Sequence, residues 1–341
     1  MTSAIKNFAK KNAQRGAALL IAMLVVALVA TFAAASLWQQ WRSVEVETAE
    51  RARVQSSWIL IGALDWARLL LREDAMSSGG TQVDHLGEPW AVPLQEARLS
   101  SFLAADSNNT STDFGPEVME AFLSGQIVDL QSMMNLNNLI TVTGQVDPDQ
   151  LLAFERLFEI LSLPQSELAR LAENLRFAVA ATRQTPSPGL APLAPQRVAE
   201  LVWLGVSPHT VAVLEPYVTL LPATTRVNVN TAGAEVIAAF GGMDLSDAQR
   251  LVQIRNSSYF RTPDDIQAHL SGSVASAGPG TSTQLDVSSS FFEVRARLRL
   301  DKLVVEERSV LQRSGNKVLV LSRERGTGDP TTLSRIAMAQ R

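Results

Sequence analysis

A basic segment followed by a long apolar run is the N-terminal feature that most constrains this chain. Four basic residues precede Gly16 with no acidic residue among them: Lys6, Lys10, Lys11 and Arg15. The next 21 residues, 17–37, contain only Thr31 and Ser36 as polar residues. As an α-helix, a run of this length covers roughly 30 Å, the thickness of the hydrocarbon core of a bilayer. The sequence therefore predicts a membrane-spanning helix.

The charges on the two sides of this run predict its orientation. Basic residues lie only before it, whereas Glu45, Glu47 and Glu50 follow soon after it. Because basic flanks stay on the cytoplasmic side, we expect a cytoplasmic N-terminus and a remainder that lies across the membrane. Trp38 and Trp41 fall where an interfacial aromatic belt would lie.

Two other kinds of N-terminal segment share this pattern. A cleaved secretory signal peptide has the same order of basic and apolar regions, and Ala33-Ala34-Ala35 matches its small-residue cleavage site. An uncleaved signal anchor also fits. Against removal, the apolar run is longer than the roughly 7 to 15 residues usual in a signal peptide.

The helical pattern also continues past the point where a signal peptide would be cut. No proline occurs before Pro89, and the segment 58–71 (WILIGALDWARLLL) is apolar nearly all round. Its polar residues form one narrow stripe at Asp65, Arg68 and Arg72. We therefore expect a single helix from about residue 17 to about residue 76, with its second half buried in protein.

A basic leader that ends in glycine, followed by an apolar helix that continues into a folded head, resembles the type IV pilin-like proteins. Within that class the chain most resembles the type II secretion system protein K family (GspK), the large minor pseudopilins. Three further stretches carry the resemblance: LGEPWAVP (86–93), GQIVDLQSMMNLNNL (125–139) and LEPYVTLLPATTRVNVNTAGAEVI (214–237). The pair NLNNL and NVNTA, in that order, is its most specific part.

The resemblance implies a location, partners and a processing site. It implies a single-pass protein of the bacterial inner membrane, with its head in the periplasm, that starts or caps the pseudopilus of a type II secretion system. Prepilin peptidase would cleave between Gly16 and Ala17, with methylation of the new N-terminus. The implied partners are the other minor pseudopilins, of I, J and H type, and the implied function is not enzymatic.

Two residues depart from the ordinary pilin pattern. The fifth residue after the expected cleavage point is Ile21, where most such proteins have glutamate, and the first mature residue is Ala17, where phenylalanine is more usual. A carboxylate in the membrane is costly unless it is paired, and its partner is commonly taken to be the N-terminal amine of the subunit above. A first subunit has no subunit above it, so Ile21 favours a tip or initiating role. Ala17 leaves the exact cleavage point open.

The predicted fold class is α+β: a type IV pilin-like long N-terminal helix packed on an antiparallel sheet, with an inserted all-helical domain. Alternating apolar and charged residues over 292–300 predict a half-buried strand, and strands over 303–313 and 317–323 complete a meander. A further short strand is expected at 127–130. Short helices are expected between 141 and 275, starting at Asp147-Pro148, Ser207-Pro208 and Thr262-Pro263.

These elements predict a division of the chain into six parts. They are a prepilin leader (1–16), the transmembrane half of the helix (17–37), the first part of the pilin-like domain (38–140), the helical insert (141–275), the C-terminal strands (276–325) and a tail (326–341).

Residues 227–270 resemble a helix-hairpin-helix unit of the SAM-like kind, a fold often used for non-specific DNA binding. The alternative function is therefore that of a membrane-anchored DNA-binding or DNA-uptake protein. In that use a hairpin presents backbone N–H groups to phosphate, but here Asp244 lies in the hairpin and the nearby basic residues are few: Arg250, Arg255 and Arg261. Without its leader the chain carries 26 basic against 34 acidic residues, so we expect a structural use and no nucleic-acid partner.

One acidic segment has the spacing of a calcium loop. Oxygen-bearing side chains occupy its first, third, fifth, seventh and twelfth positions: Asp106, Asn108, Thr110, Thr112 and Glu117. Ser111 stands where the sixth position requires glycine, so we favour a solvated loop. The resemblance associates calcium with the helical insert, but the acidic segment expected there reads LARLAENLRFAV. Calcium is therefore the one cofactor kept open.

No catalytic arrangement emerges from the sequence. The chain has no cysteine, three scattered histidines (His85, His209 and His269) and no HExxH, GxSxG or P-loop pattern. We therefore expect no enzymatic activity.

Overall fold

The computed structural model describes residues 2–77, 82–100, 121–183, 192–270, 284–300 and 303–326, with side chains omitted for 2–16, 183, 267 and 270. The chain divides into two compact units, residues 1–58 and 59–341. Helix α1 (Thr2–Ser77) is continuous through Gly16. It thus starts earlier than the predicted residue 17, because one internal glycine costs a helix only about 1 kcal/mol.

The first unit contains the predicted membrane span. Every side chain described from residue 17 to residue 50 is exposed. This part of α1 is long and apolar enough to cross a membrane. A helix that is apolar all round needs lipid or protein around it, so this segment fits a single-pass membrane anchor.

The strands of the second unit, in chain order, are β1 (Leu94–Arg98), β2 (Phe122–Asp129), β3 (Met134–Asn135), β4 (Val218–Thr219), β5 (Val227–Asn228), β6 (Leu285–Asp286), β7 (Phe291–Leu300), β8 (Leu303–Ser314) and β9 (Lys317–Gly326). Among the described residues, five of these strands form an antiparallel sheet in the order β1-β2-β7-β8-β9. The predicted meander of β7, β8 and β9 is confirmed. Strand β1 and most of β2 were not predicted, because neither has a clear alternation of apolar and polar residues.

The second half of α1 covers one face of this sheet. Leu64, Ala67 and Leu71 pack against Phe292 and neighbouring residues of the sheet: Val294, Leu311 and Val318. The expected burial of this helix half is confirmed for the face that meets the sheet and not for the opposite face, since Trp66 and Leu69 are 42% and 49% exposed. A sheet covers only one face of a helix, so the opposite face stays accessible although its residues are apolar.

The chain between β2 and β7 forms the helical domain. Its helices are α2 (Pro148–Ile160), α3 (Gln165–Arg183), α4 (Pro208–Leu214), α5 (Ala234–Gly241), α6 (Leu245–Ser257) and α7 (Pro263–Leu270), with a 3-10 helix at Val198–Leu204. The three predicted helix starts are confirmed, because Asp147, Ser207 and Thr262 each accept hydrogen bonds from backbone N–H groups of the following first turn. The predicted α+β class is confirmed.

One apolar core holds the helical domain together, and it extends beyond the helices. The core begins at Met134 and ends at Val287. Residues 134–140 and 285–287 therefore pack with the helices, outside the predicted bounds of 141–275. The parallel pairs β3 with β4 and β5 with β6 fix these two end segments to the domain.

Candidate functional site

A buried polar cluster lies where the helical domain meets the sheet; we call it the junction. Its residues come from six places along the chain: Asp84, Asp129, Asn228, Thr231, Ser289 and Arg313, all of which are buried. Asp129 ends β2, Asn228 ends β5, and Arg313 lies near the end of β8. The ends of three strands therefore bring these side chains together.

Asp129 is the centre of the junction. Its Oδ2 accepts hydrogen bonds from Thr231 Oγ1 at 2.6 Å, Ser289 Oγ at 2.6 Å and Asn228 Nδ2 at 3.2 Å. Its Oδ1 accepts one from the backbone N–H of Gln131 at 2.7 Å. Burial raises the pKa of Asp129, and these donors oppose the rise. The carboxyl group thus depends on both β5 and the segment before β7 for its partners.

Arg313 links the same region to the end of α1. Its guanidinium bonds to Asp74 of α1 at 2.7 Å, to Asp84 and, at 2.9 Å, to the carbonyl of Ser289. It also lies 4.7 Å from the ring centroid of Phe292. Burial raises the pKa of Asp84 to about 6, while the charge of Arg313 opposes the rise. One buried arginine thus joins α1, β8 and the segment before β7.

The asparagines of NLNNL hold the chain between β4 and β5. Asn135 donates to the carbonyl of Ala223 at 2.8 Å and accepts from the N–H of Leu221 at 3.1 Å. Asn138 donates to the carbonyl of Thr225 at 2.7 Å and accepts a hydrogen bond from the N–H of Thr225 at 3.1 Å. The backbone between β4 and β5 has N–H and C=O groups that need hydrogen-bond partners. The two side-chain amides supply some of these partners, as a neighbouring strand would.

The residues of NVNTA hold the junction and the helix-hairpin-helix unit. Asn228 donates to Asp129, to Ser289 Oγ at 2.9 Å and to the carbonyl of Asp84 at 3.0 Å. Asn230 exchanges two hydrogen bonds of 2.9 Å with the backbone of Phe260, which lies between α6 and α7. The motif thus connects the sheet to the last helices of the domain.

The helix-hairpin-helix unit consists of α5, α6 and a hairpin in which Gly242 has a φ of +64°. Arg255, which the DNA hypothesis needs on the surface, is only 6% exposed. Its Nη1 donates to the carbonyl of Val229 at 2.6 Å and to that of Ala232. Arg250 is exposed but pairs with Asp247 at 3.2 Å. These positions favour a structural use of the unit.

The LGEPW stretch forms a second polar site beside the junction. Glu88 Oε2 accepts from Trp90 Nε1 at 2.6 Å and from the N–H of His85 at 3.0 Å. Burial raises the pKa of Glu88 to about 7. Trp90 is itself buried, with its ring edge-on to Phe292. The stretch thus fixes the start of β1 to the core under α1.

Among the described residues, Asp74, Asp84 and Glu88 form a trio of carboxylates whose ligand atoms lie within 4.8 Å of one another. Arg313 already compensates Asp74 and Asp84, so the trio holds together without a metal ion. The predicted calcium loop lies outside the described residues: Asp106, Asn108, Thr110, Thr112 and Glu117.

The predicted processing residues lie in α1. Gly16 and Ala17 are adjacent in an uninterrupted helix, and Ile21 is exposed one turn further on. None of them is among the junction residues, which sequence reasoning missed. The signal for the junction was one aspartate, Asp129, directly after an apolar strand and one asparagine, Asn228, between two valines, since such polar groups, once buried, need partners.

Comparisons with known proteins place the two asparagine motifs inside matched regions. Two family models described as type II secretion system protein K match residues 132–223 and 227–288. A curated protein K of Pseudomonas aeruginosa is 28% identical over 93% of this chain and 95% of its own length. Protein K of Klebsiella pneumoniae is 29% identical over 92% of this chain and 97% of its own length.

A solved structure has the same fold. One chain of the GspK-GspI-GspJ complex from the type 2 secretion system of enterotoxigenic Escherichia coli superposes with a TM-score of 0.62 at 21% identity. The match covers 82% of this chain and 99% of the other.

Proposed function

Because this chain belongs to the type II secretion system protein K family, and is therefore a minor pseudopilin, we propose that it initiates or caps the tip of the periplasmic pseudopilus. The membership rests on the two matched family models and on relatives that cover more than nine-tenths of the chain. The family is one of structural subunits, and the proposed role is an assembly role.

Ile21 is the observation that carries the tip role. It would be the fifth residue of the mature chain, and it lies in the exposed apolar part of α1. A glutamate at this position would need a cationic partner in the membrane. A subunit with none above it offers no such partner, so an apolar residue suits the first position of the filament.

We place residues 17–37 in the inner membrane and the head in the periplasm, after cleavage between Gly16 and Ala17 by prepilin peptidase. The partners we propose are the minor pseudopilins of I, J and H type, in keeping with the complex of GspK, GspI and GspJ. Leu69 and Met76 offer exposed apolar surface on α1 for packing against neighbouring helices.

The helical domain supplies the capping mechanism in this proposal. It is inserted between Asp129 and Phe292, which are register partners on adjacent strands. A large domain thus emerges from one end of the sheet, and the buried junction gives it a fixed attachment. We propose that this domain occupies the outer side of the subunit and prevents a further subunit from stacking there.

Labelling of isolated pseudopili tests this function. Filaments assembled in cells that overproduce the major pseudopilin would be stained with gold-labelled antibody against the helical domain of this chain. We expect label at one end of each filament and few filaments in cells that lack the chain. Label along the filament length, or normal filament numbers without the chain, would reject the tip role.

A further inference from the structure

The sheet has a cavity of about 340 Å³ on one face. Its floor consists of three residues from each of three adjacent strands: 124–126 of β2, 295–297 of β7 and 306–308 of β8. Residues 93–95, at the start of β1, form one wall. The cavity is thus built on paired strands, which hold its lining in fixed register.

The cavity lies on the face of the sheet opposite α1. Phe292 and Val294 of β7 pack against α1, and successive side chains of a strand point to opposite faces. Arg295 and Arg297 therefore point away from α1. Their register partners on β8 are Arg308 and Glu306, in that order, so three arginines and one glutamate of the lining share this face.

Two of these arginines lack full compensation. The side chain of Arg295 is 7% exposed, and its Nε is paired with Glu293, yet its buried Nη1 has no hydrogen-bond partner. No carboxylate of the described residues lies within 4.0 Å of Arg308. Glu324, its partner on β9, pairs instead with Arg197 of the helical domain at 3.8 Å.

The pairing of Arg295 with Arg308 is costly without a ligand. Like charges directly opposite on antiparallel strands repel each other, and a buried guanidinium N–H without an acceptor costs free energy. In the remaining pair, Arg297 Nε lies 3.8 Å from Glu306 Oε1, which is too far for a hydrogen bond. Glu306 Oε1 is buried and has no hydrogen-bond partner. The face thus holds unused donors beside one unused acceptor.

We propose that this cavity binds an acidic peptide segment of a partner protein, with a carboxylate held between Arg295 and Arg308. A carboxylate presents two coplanar oxygens that suit guanidinium donors. The backbone N–H groups of the same peptide can donate to Glu306, which a free anion cannot do. This peptide site is separate from the proposed tip role, because it does not depend on the position of the chain in a filament.

Peptide binding to the full-length chain in detergent tests the proposal. The probe is a hexapeptide of alternating glutamate and glycine with a neutral dye, and its control has glutamine in place of glutamate; binding is followed by fluorescence anisotropy. We expect the glutamate peptide to bind about tenfold more tightly than the glutamine peptide. Arg308→Gln is expected to weaken the glutamate peptide by about tenfold as well.

Arg299→Gln is the matched control. Arg299 lies on β7, as do Arg295 and Arg297, and on the same face of the sheet as Arg308. Its side chain is 41% exposed and pairs with Glu96 at 2.8 Å, but it does not line the cavity. We expect it to change affinity by less than about twofold. Arg295→Gln should weaken binding too, but Arg308→Gln carries the test because Arg308 is not buried and its loss does not threaten folding.

Three results would overturn the proposal: equal affinity for the two peptides, unchanged affinity in Arg308→Gln, or displacement of the peptide by inorganic phosphate at a lower concentration than by unlabelled peptide. None of these results bears on the position of the chain in the pseudopilus, so the tip role and the peptide site can fail separately.

Discussion

Asn228 donates a hydrogen bond to Asp129 Oδ2 at 3.2 Å across 99 residues of chain. Asp129 ends the sheet strand that leads into the helical domain, and Asn228 lies in a short strand deep inside that domain. The bond therefore connects the two parts of the head. It also joins GQIVDLQSMMNLNNL to NVNTA, because Asp129 of the first stretch accepts hydrogen bonds from Asn228 and Thr231 of the second.

Asn228→Ala should destabilise the head. The substitution removes four hydrogen bonds, three that the Asn228 amide donates and one that it accepts from the N–H of Asn230, and it leaves the buried Asp129 carboxyl group with one donor fewer. We expect a loss of about 2–4 kcal/mol in the free energy of unfolding. Denaturant titration of the full-length chain in detergent, followed by tryptophan fluorescence, measures this loss.

Asn256 supplies the control for Asn228. It is an exposed asparagine on α6, so Asn256→Ala should change stability by less than about 0.5 kcal/mol. Similar losses in the two variants would show that the junction does not hold the head together.

Arg255 and Arg250 should respond differently to replacement by methionine. Arg255→Met leaves the carbonyls of Val229 and Ala232 without their buried donor, and we expect it to cost about 2–3 kcal/mol of stability. Arg250→Met removes only an exposed pair, worth less than about 1 kcal/mol. Thermal unfolding by circular dichroism measures both.

The same arginines separate the structural use of the helix-hairpin-helix unit from a DNA-binding use. We expect no salt-dependent binding of duplex DNA by the full-length chain, since Arg255 is inside the core. Binding that Arg250→Glu abolishes would instead support the DNA-uptake alternative.

Glu88 should make the stability of the head depend on pH. Its pKa is raised from 4.5 to about 7 by burial, so the folded state binds a proton more tightly than the unfolded state. The resulting stability is fully present below pH 4.5 and is lost as the pH rises through about 7. Glu88→Gln keeps an acceptor for Trp90 Nε1 without the charge.

We expect the wild type to lose on the order of 2 kcal/mol more than Glu88→Gln between pH 4.5 and pH 7.5. Unfolding curves at several pH values measure this difference. Burial also raises the pKa of Asp84. The free energy of unfolding of Glu88→Gln should therefore still fall with rising pH, but less steeply than that of the wild type. If the free energy of unfolding changes with pH in the same way in both proteins, Glu88 ionises as easily in the folded state as in the unfolded state, and this prediction is wrong.

Ile21→Glu should impair assembly. It introduces a carboxylate into the predicted membrane span, at a cost on the order of 2 kcal/mol where no partner compensates it. We expect fewer pseudopili per cell and reduced secretion at equal protein levels. Ile21→Leu, which keeps the residue apolar, should behave as wild type. Full assembly by Ile21→Glu would mean that a partner is present and that the tip role does not depend on this position.

Local patterns predicted the parts of the fold that local forces determine. The alternation of apolar and charged residues from Phe292 to Leu300 was sufficient to identify β7, and capping residues such as Asp147 located helix starts within one residue. Apolar residues around the second half of α1 were misleading. An apolar side chain can be buried at little cost, but the sequence does not show which face of the helix meets the sheet. That depends on how the helix packs on the sheet in the folded protein.

The junction could not be predicted in the same way. Asp129 finds its partners at Asn228, Thr231 and Ser289, all distant in sequence, and nothing in the spacing of these residues indicates that they meet. Arg255 looked like a surface charge because arginine is seldom buried. Its burial depends on two carbonyls that the turn after β5 directs inward.

The mass and N-terminal sequence of the mature chain, produced with and without prepilin peptidase, test most directly whether the apolar segment and the scaffold of the head remain one helix. With the peptidase we predict the loss of 16 residues, a new N-terminus at Ala17 and retention in the membrane fraction. A chain that begins at Ser36, after the loss of 35 residues, would contradict the account, because the anchor would then be absent from the working protein.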